Sequence, residues 1–150
     1  MILQNYIIID GDKGKSLIAN KNFKKDEIVI REDNYWFGTG DETSDYAIQV
    51  GDDLFLDTVH PKDPDFVNHS CNPNMIYDTK SFMFVTIKDI QKGDVFTIDY
   101  EQYEDDLVKY VLDFICKCNE INCRGRIIGK IRKHQTTVDS ISRTTEEKTK

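Results

Sequence analysis

The sequence predicts a mostly β domain with few helices, closed at its C-terminal end by a metal-binding loop. Three observations carry that expectation. Short β-type runs alternate with turn residues along most of the chain. A single stretch has helical periodicity. Three of the four cysteines fall within eight residues, Cys116, Cys118 and Cys123, with Cys71 far upstream.

The strand signals come first. Ile7, Ile8 and Ile9 end at Asp10-Gly11, and residues 27–30 follow the turn-like Lys24-Lys25-Asp26. Residues 46–50 and 54–56 flank Gly51-Asp52-Asp53, which reads as a tight hairpin. Residues 81–87 are apolar on both faces, as a strand buried on two sides would be. Residues 95–98 follow the Lys92-Gly93-Asp94 turn. Helical spacing is confined to 104–114, where Leu107, Tyr110, Val111 and Phe114 recur at i, i+3, i+4 and i+7. Strands and helices do not alternate, which disfavours a Rossmann-type nucleotide fold.

A chain of 150 residues with 39% hydrophobic and 31% charged content is ordinary for one globular domain. We divide it into a main domain at 1–113, a cysteine-bearing segment at 114–132 and a polar tail at 133–150. The tail is rich in Thr, Ser, Glu and Lys, and is expected to be flexible because it has little to bury. The net charge of −7 argues against non-specific nucleic-acid binding. Asp99, Glu101, Glu104, Asp105 and Asp106 form an acidic cluster, read either as a solvated face or as a field that steers a basic partner. No run approaches the roughly 20 apolar residues of a membrane span, and the start lacks signal-peptide features. An intracellular location, nucleus or cytoplasm, is expected, with its thiols reduced.

In that setting Cys71, Cys116, Cys118 and Cys123 read better as ligands than as disulfides. A Cys-x-Cys-x4-Cys loop wraps three thiolates around one zinc ion, and Cys71 would be the distant fourth. The alternative is a set of buried, unligated thiols.

The ordered motifs make a closer resemblance. Asn68-His69-Ser70-Cys71-Asn72-Pro73-Asn74, then Lys92-Gly93-Asp94-Val95-Phe96-Thr97-Ile98-Asp99-Tyr100, then Cys116 to Gly125, are similar to the signatures of a SET domain followed by a post-SET zinc loop. Lys13-Gly14-Lys15-Ser16-Leu17-Ile18-Ala19 resembles the family's cofactor-binding start, with Ser16 where a second glycine is usual. The resemblance runs from about residue 12 to 128. It implies a SET fold of small, β-clip-like sheets with a C-terminal pseudoknot, plus the zinc loop. It also implies an S-adenosylmethionine-dependent protein-lysine methyltransferase holding one structural zinc ion.

By the same resemblance Gly14, Lys15, Asn68, His69 and Ile127 bind the cofactor, Gly14 and Lys15 mainly through backbone groups. Tyr100 orients the lysine amine, and Tyr77 is a second channel tyrosine, with Tyr46 a third candidate. Ile98 stands where an aromatic often limits product multiplicity, and Ile127 and Ile128 stand where relatives cover the adenine and the channel. A histone tail is the implied substrate. Direct nucleic-acid or membrane binding is not expected, and a homodimer is a possible means of targeting in so short a chain. A catalytically silent, peptide-holding module is the competing reading, and Tyr100-dependent turnover separates the two.

Overall fold

The computed structural model describes residues 4–12, 14–58 and 63–131. Five small sheets make up the fold. Strands β1 (Tyr6–Gly11) and β2 (Gly14–Ala19) form an antiparallel hairpin with Gly11 opposite Gly14. Strands β3 (Ile28–Arg31), β8 (Met75–Asp78) and β9 (Met83–Thr86) form a three-stranded sheet with β9 in the centre. A second sheet has β6 (Leu54–Thr58) between β4 (Tyr35–Gly38) and β5 (Ile48–Gly51). Strands β7 (Asn68–His69) and β10 (Thr97–Ile98) pair in parallel, while β11 (Phe114–Ile115) and β12 (Arg126–Ile127) pair antiparallel.

The local reasons are those of the sequence. The β5–β6 connection is a two-residue turn, Asp52-Asp53, with Asp53 at φ 45°. Gly93 takes φ +97° in the turn that precedes β10, a conformation open to glycine at little steric cost. Alternation on β9 sends Phe84 and Thr86 inward, at 3% and 0% exposure. The Thr86 hydroxyl donates to the Lys24 carbonyl at 2.6 Å, so a polar atom at the centre of the core keeps a partner.

The main core gathers Leu17, Phe23, Met75, Phe84, Ile90 and Phe96. Phe23 and Phe96 meet edge to face at 5.5 Å. Burying a side chain of that size contributes about 1.5–3 kcal/mol. A separate cluster packs Leu107 and Ile127 against Cys71 and Cys116.

The expected helix at 104–114 is absent. Residues 107–111 form turns, and β11 begins at Phe114. Val111 has φ +60°, a costly conformation for a β-branched residue within any helix, and is 86% exposed. Tertiary contacts override the periodicity. The Leu107 N–H donates to the Ile128 carbonyl, and Tyr110 packs on Phe55 at 5.8 Å. The polar tail at 133–150 lies outside the described residues.

Segments 68–74 and 95–100 meet as the resemblance implied, through side chains as well as the short β7–β10 ladder. Asn74 Nδ2 donates to the Val95 carbonyl at 2.8 Å, and the Thr97 N–H donates to Asn74 Oδ1 at 2.9 Å. Asn74→Ala leaves both backbone groups short of a partner. It should cost about 1–3 kcal/mol, read as a lower urea midpoint with an unchanged slope.

Candidate functional site

The parallel ladder puts His69 opposite Ile98, so the chain after β10 enters its 3₁₀ turn (Tyr100–Gln102) directly beside the Asn68-His69 pair. Asp99 caps that turn by accepting the Glu101 N–H at 3.1 Å. The Tyr100 N–H donates to His69 Nδ1 at 3.1 Å. His69 Nε2 therefore carries the proton of the neutral ring and faces Cys71 Sγ at 3.4 Å. Burial pulls the His69 pKa below its ordinary value, which keeps that neutral form in place. With its side chain only 2% exposed, the His69 ring braces the strand, and only its backbone is left to meet a ligand.

Tyr100 reaches into a cavity of about 370 Å³ with Val67, Ile98, Leu112 and Phe114 among its apolar walls. Its hydroxyl donates to the Val67 carbonyl at 2.8 Å. Burial, with a further contribution from the Glu104 charge, pushes its pKa well above the usual phenol value. Tyr100 therefore stays protonated, with its hydrogen committed to Val67 and its oxygen lone pairs left to accept.

The carboxylates on this wall have different surroundings. Asp57 is buried and takes the Ser44 N–H at 2.6 Å, the Ser44 hydroxyl at 3.0 Å and the Thr58 N–H at 2.7 Å. That network fixes the loop carrying Tyr46, which lines the cavity while remaining half exposed. Glu104 accepts the Gln49 N–H at 3.1 Å, and burial raises its carboxyl to about 7.

On the other side of the ladder, Asn68 Nδ2 donates to Ser16 Oγ at 2.7 Å and to the Lys15 carbonyl at 3.2 Å. Ser16 thus does a job that a second glycine could not. Gly14 has φ +84°, and a Cβ there would meet nothing within 4 Å, so this backbone is open to a ligand. Asn68 thus joins Lys15 and Ser16, and its neighbour His69 receives the Tyr100 N–H, so these residues form a chain of hydrogen-bonded neighbours.

Two predicted site residues sit elsewhere. Tyr77 lies one side chain behind the cavity wall, its ring 4.8 Å from Phe84 and 6.1 Å from Tyr103, both of which do line the cavity. Its buried hydroxyl has no hydrogen-bond partner among the described residues. The Ile127 side chain is fully buried against the cysteine cluster, which leaves only its backbone for a cofactor.

The sulfurs of Cys71, Cys116, Cys118 and Cys123 lie within 4.8 Å of one another, and Cys71 and Cys116 are 3.9 Å apart. Tetrahedral zinc with Zn–S bonds of about 2.3 Å needs sulfurs ~3.8 Å apart, so the set fits a zinc ion. The Arg124 N–H and His69 Nε2 both approach Cys71 Sγ at 3.4 Å, the outer support that a thiolate ligand needs.

Arg124 also forks onto Asp99, at 2.8 and 2.5 Å, and its Nε lies 3.0 Å from Glu101 Oε2. Glu101 Oε1 accepts the Ile128 N–H at 3.2 Å, and Lys130 pairs with Asp105 at 3.0 Å. Three members of the acidic cluster, Asp99, Glu101 and Asp105, therefore tie 99–105 to 124–130. Sequence reasoning missed Arg124, Asp57, Glu104 and Phe114. Arg124 adjoins a predicted ligand, but nothing in the sequence pairs it with a residue 25 positions away.

Residues 14–101 match the SET domain family. The chain is 27% identical over 146 residues to histone-lysine N-methyltransferase ASHH3 of Arabidopsis thaliana, covering 84% of this chain and 39% of that protein. It is 32% identical over 85 residues to methyltransferase flvH of Aspergillus flavus, covering 55% of this chain and 45% of the relative. The chain thus spans less than half of these curated relatives. Its fold resembles that of KRYPTONITE, solved in complex with mCHG DNA and SAH, at a TM-score of 0.62 and 20% identity over 83% of this chain and 29% of that one. A second KRYPTONITE structure, with mCHH DNA, an H3(1-15) peptide and SAH, gives 0.61 and 20% over 81% and 29%. With more than half of its length inside the family match and its motifs assembled around one cavity, the chain belongs to the SET domain family.

Proposed function

We propose that the chain is an S-adenosylmethionine-dependent protein-lysine N-methyltransferase that acts on a histone tail. The observation that carries this reading is the placement of Tyr100. Its hydroxyl is committed to Val67 in an apolar-walled cavity, while its N–H bonds His69, next to the Asn68 that holds Lys15 and Ser16. The curated relatives include histone-lysine methyltransferases, and a similar fold is solved with SAH and an H3 peptide, which supports the same reading.

The residues fit the cofactor. Gly14 leaves room for close approach, while Lys15, the Asn68 amide and the His69 backbone offer polar contacts. When bound, S-adenosylmethionine supplies an electrophilic methyl group on a sulfonium sulfur. The protein must present the lysine nitrogen with a free lone pair. At pH 7 a lysine of ordinary pKa ~10.4 is charged, and presenting it neutral costs about 4–5 kcal/mol. Val67, Ile98, Leu112 and Phe114 lower that cost by desolvating the amine. The Tyr100 oxygen accepts one N–H and so aims the nitrogen lone pair for in-line attack. Tyr77 supports it from behind Phe84 and Tyr103. Cys71, Cys116, Cys118 and Cys123 hold zinc in a purely structural role, since all four positions are thiolates. Action on a histone places the protein inside the cell, in the nucleus or before entry to it.

Tyr100→Phe keeps the ring but removes both hydroxyl interactions. It should lower kcat by about 10²-fold on bulk histones while leaving cofactor affinity by calorimetry within a few-fold. Turnover equal to that of the unaltered protein would favour the peptide-holding module instead. Stripping zinc with a strong chelator should raise amide exchange across 114–131 and weaken cofactor binding. Unchanged binding after confirmed metal loss would count against the structural role.

A further inference from the structure

Tyr100 does not take the proton that a lysine ε-ammonium must lose, because burial holds its phenol protonated and its hydrogen is given to Val67. The same cavity wall holds a better acceptor. Building on the lysine-methyltransferase reading, we propose that Glu104 is the general base that deprotonates the substrate ammonium.

Three observations of geometry support it. Glu104 follows Tyr100 by one turn, with its N–H donating to the Tyr100 carbonyl at 2.9 Å, so the two side chains share one wall of the cavity. Its carboxylate is held in place by the Gln49 N–H on Oε1, while Oε2 has no hydrogen bond or ion pair among the described residues. Lys130, the cation whose charge reaches Glu104, is paired with Asp105 at 3.0 Å and acts on Glu104 less than burial does.

Other charged groups face the same space. Asp57 accepts from three donors, Glu32 and Asp45 stand on the β3–β4 and β4–β5 connections, and Asp65 on a separate 3₁₀ turn, Asp63–Phe66. Among the titratable groups packed on Glu104, Asp105 raises its proton affinity and Lys130 lowers it, both less than burial does. A carboxyl poised near 7 is matched to proton transfer at neutral pH.

The step balances. The Glu104 carboxylate takes one proton from the ε-ammonium and becomes a carboxylic acid. The freed nitrogen lone pair forms the N–CH3 bond as the S–CH3 bond breaks and sulfur keeps its electron pair. Glu104 then returns its proton to solvent.

The test compares the unaltered protein, E104Q and Y100F. Glutamine keeps the acceptor for the Gln49 N–H. Because the folded-state pKa of Glu104 is raised, its burial costs stability as pH climbs from about 4.5 through 7. E104Q should therefore gain in Tm relative to the unaltered protein between pH 5 and 8. Carboxyl-carbon NMR of Glu104 should give a midpoint near 7 that falls when the H3(1–15) peptide binds, and that does not fall with the same peptide carrying norleucine for lysine. Turnover by E104Q should drop about 10²-fold or more and lose the rise through pH 7, with cofactor affinity unchanged.

A Glu104 midpoint unmoved by the lysine peptide, or an E104Q pH profile equal to that of the unaltered protein while Y100F is inactive, overturns the role of Glu104 alone. Failure of the unaltered protein and Y100F alike to methylate any lysine overturns the methyltransferase reading. The NMR titration still decides whether Glu104 answers to a lysine cation.

Discussion

The fold hangs on a parallel ladder only two residues long, Asn68 with Thr97 and His69 with Ile98. Such a ladder is too short to hold by itself, and its register must come from side chains. Asn74 bridges Val95 and Thr97, the Ser70 N–H reaches the Ile98 carbonyl at 3.0 Å, and His69 Nδ1 receives the Tyr100 N–H. Each of these bonds is worth about 1 kcal/mol, but together they have one consequence. They decide where Tyr100 leaves the strand, and so where its hydroxyl stands in the cavity. A one-residue slip would turn Ile98 out of the wall and point Tyr100 elsewhere.

The cysteine cluster extends the same constraint. Cys71 lies two residues past the ladder, and Cys116, Cys118 and Cys123 come from the segment around β11 and β12. Metal binding therefore fastens the last described elements onto the strand that carries Asn68. The Arg124 fork onto Asp99 adds a second fastening, to the residue just before Tyr100. Asp99 and Glu101 are each under 10% exposed, so losing Arg124 would leave two carboxylates buried beside Tyr100. Breaking a buried pair by removing one partner costs far more than the intact pair contributes. The described residues form five small sheets with a modest core, and a metal-binding cysteine set and an ion-pair network supply long-range ties that the short ladders cannot.

Much of this was legible in the sequence because it rests on local chemistry. The Asp52-Asp53 hairpin and the Gly93 turn are local, and the Cys-x-Cys-x4-Cys spacing is too. The approach of 68–74 to 95–100 was legible only through resemblance, since no periodicity encodes a contact across about 30 residues. The misread helix at 104–114 has a physical cause. Leu107 is buried and Phe114 half-buried, but toward Ile127 and the cysteine cluster, and Val111 at positive φ breaks the run between them. The acidic cluster was misread for a related reason. Its charges have partners at 124 and 130, and one carboxylate, Glu104, faces a cavity instead of water. Ser16 sits where a second glycine is usual, and contributes a hydroxyl that anchors Asn68.

The cavity must satisfy two opposed demands. In the proposed reaction a lysine arrives as an ammonium, and Glu32, Asp45, Asp57 and Asp65 around the wall would attract it. The methyl-transfer step needs a neutral amine, which the apolar surface of Val67, Ile98 and Phe114 favours. A carboxylate about 4 Å from a cation near a protein surface is worth roughly 4 kcal/mol, close to the cost of stripping the proton at pH 7. Neither demand wins outright, so the side chain can enter charged and react neutral, provided one group on the wall trades its charge for the proton. A permanently ionised carboxylate would hold the ammonium too well, and an apolar group would never admit it. A carboxyl whose burial balances its ionisation near neutrality does both, and Glu104 is the residue on this wall so placed.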